Sequence, residues 1–178
     1  MSMLRLTVTA ALACFVAVRA AGGPALDEIM NPMRLDRTAP HRDMKAFISV
    51  TPGEPVGVSF TTGPEGKKLC RIAISWGPTG ESWTQGESLV LTLWDSEQRR
   101  SQIAEYAMPY EFKQWEGATV MFPLWVPVKP ETRYYFELTV RGGDGRIDGV
   151  HLSKTGCPDT RMYVAGKPRE DCIWFETH

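Results

Sequence analysis

Residues 132–141 read Thr-Arg-Tyr-Tyr-Phe-Glu-Leu-Thr-Val-Arg. On an extended chain, Tyr134, Phe136, Leu138 and Val140 fall on one side. Arg133, Tyr135, Glu137, Thr139 and Arg141 fall on the other. One apolar and one polar side at a period of two is the pattern of a half-buried antiparallel strand. It does not suit a surface helix, whose apolar stripe returns every three or four residues. Leu89, Leu91 and Leu93 form a similar row, as do Val120, Phe122 and Leu124. No long helical period accompanies them.

Turn residues punctuate these rows. Thr51-Pro52-Gly53, Thr62-Gly63-Pro64, Gly77-Pro78-Thr79-Gly80, Lys129-Pro130, Gly142-Gly143-Asp144-Gly145 and Cys157-Pro158-Asp159 each favour a break. Strands are expected near 45–50, 55–61, 68–76, 87–95, 101–107, 118–126, 132–141, 146–153, 161–165 and 171–176. Many short strands at this spacing indicate a sandwich or barrel. The length favours an all-β fold, an antiparallel β-sandwich of jelly-roll type, over residues 45–177. Leu89, Leu91, Leu93, Val120, Phe122, Phe136, Leu138 and Phe175 are its expected core.

The first twenty residues read as a secretory signal. Arg5 supplies the positive start, Leu6 to Val18 is apolar but short for a membrane span, and Val18-Arg19-Ala20 predicts cleavage after Ala20. Cys14 after Ala11-Leu12-Ala13 is a weak match to a lipoprotein box. Residues 21–44 are a polar lead-in. The expected location is therefore secreted or periplasmic. Loss of Arg5 and Arg19 makes the chain two charges more negative than its full-length −1. Such a chain lacks the cationic excess that neutralises phosphates, so no nucleic-acid partner is expected. No later segment reaches membrane-spanning length.

Four Cys occur, and Cys14 lies in the leader. An odd number then remains: Cys70, Cys157 and Cys172. Strand parity sets Cys70 with Ile72 and Ile74, hence buried. Cys172 shares the parity of Trp174, and Cys157 sits in a turn-rich loop. An export signal permits disulfides, and Cys157–Cys172 is the expected pair; the alternative is three reduced thiols. Zinc is not expected, because no CxxC exists and His41, His151 and His178 are scattered.

The order of motifs resembles a family. An early strand ends in Val58-Ser59-Phe60-Thr61-Thr62. Ser88-Leu89-Val90-Leu91-Thr92-Leu93-Trp94-Asp95, Trp115 and Pro130 to Leu138 follow. Tyr163-Val164-Ala165-Gly166 and Asp171 to Thr177 close the series. Over about residues 45–177 this resembles the jelly-roll, carbohydrate-binding-module-like domains of secreted bacterial proteins, often joined to glycoside hydrolases. The resemblance implies a sandwich, sugar binding and room for a structural calcium. Two features depart from the pattern: no catalytic domain is expected here, and the Cys157/Cys172 pair is not part of it.

All six Trp lie after residue 75. Sugar rings stack on flat aromatic faces whose polar tips can hydrogen-bond. Trp83 in one loop, and Tyr110 and Trp115 in another, are candidate platforms. Gln85, Glu111 and Gln114 could hold hydroxyls. A second set, Trp94, Trp125, Tyr135 and Trp174, lies on strand faces opposite the aliphatic rows, and would line a groove if one sheet carried them all. Loop or core packing is the competing role for every one of these rings. A polysaccharide or glycan is the expected partner, with a cell-envelope protein as the alternative for a secreted structural or interaction domain.

No catalytic residue is assigned, since no G-x-S-x-G, HExxH or P-loop occurs. Glu111, Glu116 and Asp148 are the acids a small glycoside hydrolase would need to pair. Asp144 and Asp148 in the Gly142–Gly149 stretch invite calcium, but the spacing is not that of a calcium loop, and a hairpin turn explains the glycines more simply. Arg99-Arg100 reads as a solvated basic spot at a turn.

Overall fold

A computed structural model describes residues 37–38, 44–77, 87–109, 119–142, 147–153 and 159–178. Leu35–His178 form one compact unit. Its strands are β1 (Arg37–Thr38), β2 (Met44–Val50), β3 (Val56–Thr61), β4 (Lys68–Gly77) and β5 (Ser88–Trp94). Then come β6 (Gln102–Pro109), β7 (Thr119–Pro127), β8 (Arg133–Arg141) and β9 (Ile147–Ser153). The last are β10 (Arg161–Val164), β11 (Lys167–Arg169), β12 (Cys172–Ile173) and β13 (Phe175–Thr177). Each expected strand is present, the last divided at Trp174, and β1 and β11 are additional.

The strands form an antiparallel β-sandwich. A six-stranded sheet runs β11-β10-β3-β8-β5-β6. A seven-stranded sheet runs β1-β13-β4-β9-β12, with β7 on β4 and β2 on β9. Along the chain the strands pass back and forth between the sheets.

The period-two rows explain the packing. Leu89, Leu91, Leu93, Phe136, Leu138, Val120, Phe122 and Phe175 are all buried in one core, as their spacing predicts. Phe175 of the seven-stranded sheet meets Phe136 and Phe60 of the six-stranded one at 5.3 and 6.0 Å between ring centroids. This ring group joins the two layers.

Cys70 departs from its expected face. It is a buried thiol outside any disulfide, but it is not in the core with Ile72 and Ile74; Leu69 is. The cause is a bulge. The N–H groups of Cys70 and Arg71 both donate to the carbonyl of His178, so two residues occupy one ladder position. The facing strand β7 is irregular at the same height, where Leu69 faces Val126 but Arg71 faces Pro123. Trp125 takes up its extra residue with φ +54°.

Candidate binding surfaces

The register brings one set of strand ends together. In the six-stranded sheet Ser88, at the start of β5, faces both Pro109 at the end of β6 and Arg141 at the end of β8. In the other sheet Gly77, at the end of β4, faces Gly149 near the start of β9, and Ser75 faces Thr119 at the start of β7. The connections β4–β5, β6–β7 and β8–β9 therefore all cross between sheets at this end. Trp83 belongs to the first of them, and Tyr110, Glu111, Gln114 and Trp115 to the second. These five residues lie outside the described residues, as do Gln85, Glu116, Asp144 and Cys157.

The opposite end is tied by backbone. Thr62 Oγ1 donates to the Lys129 carbonyl at 2.6 Å and accepts the Thr132 N–H at 3.0 Å. Val128 N–H donates to the Lys67 carbonyl. These bonds tie the β3–β4 and β7–β8 connections to each other.

The strand aromatics do not share one sheet. Trp94 and Tyr135 face each other across β5 and β8, whereas Trp125 and Trp174 belong to the seven-stranded sheet. Tyr135 and Trp174 are also buried. A single groove lined by all four is excluded. Lys68 sits 5.5 Å from the centroid of Trp125.

Tyr135 is buried because the β5–β6 loop folds back over the outer face of its sheet. Its ring lies across Gly57, where an added Cβ would fall 1.9 Å from the hydroxyl. The hydroxyl donates to Glu137 at 3.0 Å, and the Arg99 guanidinium lies 5.6 Å from the ring centroid. Arg99 also pairs with Glu137 at 2.5 Å. The basic spot at Arg99 is thus an ion pair holding a loop to a sheet. Burial, then the Glu137 charge, raise the Tyr135 pKa beyond the ordinary phenol range, so it stays neutral.

Glu97 of the same loop reaches the sheet beside it. Arg133 Nε donates to Glu97 at 2.8 Å, and Arg133 Nη2 donates to the Ser59 hydroxyl at 2.6 Å. The Tyr163 hydroxyl also hydrogen-bonds Glu97, and the Ser59 hydroxyl stands beside it. Burial raises the Glu97 pKa, but the polar neighbours Ser59, Arg133 and Tyr163 and the Arg133 charge outweigh it and leave it below its usual value. Sequence reading missed this cluster. Its one local signal is the charged alternation Arg133, Tyr135, Glu137.

The outer face of the other sheet carries a polar junction. Ser75 Oγ and His151 Nδ1 are 2.8 Å apart, and the Phe47 ring lies 4.4 Å from the imidazole. Trp174 N–H donates to the His151 carbonyl, and Ser75 N–H to the Trp174 carbonyl. Burial lowers the His151 pKa from its ordinary 6.5, partly offset by hydrogen bonding at Ser75. The folded state then binds that proton later than the unfolded chain does. His151 costs no stability above about pH 6.5, and stability is lost as pH falls from there through the lowered folded value. His151→Gln should flatten that acid-side loss in denaturant titrations between pH 8 and 5. An identical pH profile in wild type and variant would contradict it.

Among the described residues, no three His, Cys, Asp or Glu gather to hold a metal ion. None of their helices is long and apolar enough to cross a membrane. Comparison with protein-family models and with curated proteins finds no match.

Proposed function

We propose that this chain is a non-catalytic carbohydrate-binding module of an exported protein, acting in the periplasm or outside the cell. The observation that supports this is the convergence of strand ends at Ser88, Pro109, Arg141, Gly77 and Thr119. Trp83, Tyr110, Glu111, Gln114 and Trp115 are carried on segments that leave and re-enter the sandwich there. Flat rings beside amide and carboxylate groups suit the apolar faces and hydroxyls of a glycan. The passage of successive strands between the two sheets favours jelly-roll connectivity.

Trp115→Ala tests the site. Glycan binding should weaken by roughly 1–3 kcal/mol, as expected for an aromatic anchor, with little change in Tm. Trp83→Ala should match it if both rings serve one ligand. A glycan array on wild type supplies the ligand for titration. Unaltered affinity with a collapsed Tm would make Trp115 a packing residue and end the assignment. The second reading, a protein-interaction domain, draws on Phe47 and Met121, large apolar side chains left 45% and 47% exposed on the seven-stranded sheet. It predicts no glycan on the array.

We also propose the Cys157–Cys172 disulfide. Cys172 is buried and faces Ser153, a short step before Cys157 in the chain. Closing a loop of this size would contribute roughly 3 kcal/mol. Non-reducing peptide mapping of the exported protein should recover the linked pair. Alkylation of Cys70, Cys157 and Cys172 together in that protein would rule it out.

A further inference from the structure

Glu97 meets side chains from three strands of the six-stranded sheet. Ser59 comes from β3, Arg133 from β8 and Tyr163 from β10. Ser59 is fully buried and fixed in turn by the Arg161 carbonyl, to which its hydroxyl donates at 3.4 Å. These side chains belong to the rigid sheet, whereas the carboxylate belongs to a hairpin loop. Glu97 can leave without breaking any strand pairing.

We propose that Arg133, positioned by Ser59, and Tyr163 form a receptor for a carboxylate, that Glu97 fills it in cis, and that the ligand replacing Glu97 is a uronic-acid unit of an acidic polysaccharide. The proposal rests on the carbohydrate reading and names a substrate class at a second surface. Arg133 gives the carboxylate a charge-assisted hydrogen bond through Nε, while its Nη2, bonded to Ser59, fixes the guanidinium plane. The Arg133 and Glu97 side chains are 46% and 26% exposed. A pair so open to water holds weakly, and an external carboxylate can compete for it.

The neighbouring rings select the ligand. Tyr163 is half-buried and meets Tyr135 edge-on, 5.6 Å between centroids. A uronate carries its carboxylate directly on a pyranose ring, so one unit can fill the cup and lay its C–H face on Tyr163. An acidic peptide has a flexible stem there and nothing for the ring. The Arg99–Glu137 pair is a second tie on the same loop. Arg99 sits at φ +53°, a conformation uncommon for a non-glycine residue and retained where surroundings enforce it.

The test is calorimetry on the full chain with a galacturonic-acid hexamer. Glu97→Ala should bind it about tenfold more tightly than wild type. The methyl-esterified hexamer should show no gain, and Glu97→Ala/Arg133→Ala should lose the gain. Glu97→Gln keeps the side-chain volume and should shift affinity in the same direction if Glu97→Ala loosens the loop. Equal affinities of wild type and both Glu97 variants would overturn the proposal, as would an equal gain for the ester. A gain for poly-glutamate without one for the hexamer would overturn the glycan assignment. If wild type binds no neutral glycan yet Glu97→Ala gains the hexamer, the loop-end site fails and the carboxylate cup stands.

Discussion

Phe175→Ala should destabilise the domain by about 3–5 kcal/mol, the range for truncating a buried aromatic ring. Phe175 is fully buried, and its ring is the member of the Phe60–Phe136–Phe175 group that comes from the seven-stranded sheet. Removing it leaves a cavity between layers that neither sheet can close without breaking its ladder. A domain's whole stability is only about 5–15 kcal/mol, so much of it is at stake. Urea unfolding measures the loss. Phe175→Leu, which keeps most of the volume, should cost distinctly less. A loss below about 1 kcal/mol for the alanine variant would show that the two sheets do not depend on this contact.

Gly57→Ala should cost about 2–3 kcal/mol, toward the upper part of the range for overpacking. The position has no positive φ to explain its glycine. The reason is instead the close approach of Tyr135, whose hydroxyl and Cζ would lie 1.9 and 2.3 Å from the new Cβ. The ring cannot swing away freely, since Glu137 binds its hydroxyl and Arg99 covers its face. A double-mutant cycle isolates the cause: in a Tyr135→Ala background, Gly57→Ala should cost almost nothing. An undiminished cost there would shift the explanation from the ring to the backbone.

The two predictions differ in how far sequence alone could have reached them. The alternation of residues 132–141 fixes which side chains of β8 turn inward, and the same holds for the rows of β5 and β7. Parity failed where the ladder gained a residue. At Cys70 and Arg71 two N–H groups share the His178 carbonyl, and that partner lies more than a hundred residues away. No local pattern carries such information. The grouping of Trp94, Trp125, Tyr135 and Trp174 failed for a related reason. Parity assigns a side of a strand but not the sheet to which the strand belongs.

The loop cluster was less legible still. Arg133 meets Glu97 across 36 residues and Ser59 across 74. Each residue alone reads as ordinary strand or turn chemistry. Only the return of the β5–β6 loop over the sheet turns them into a receptor and its occupant.

The sequence by itself determined the elements and the core of this protein, because side-chain direction along a strand is a local, period-two property of the backbone. The tertiary structure alone decided strand partners, bulges, the burial of Tyr135 and the meeting of Glu97 with Arg133. Those depend on hydrogen bonds and packing between segments far apart in the chain, whose closure no local period encodes.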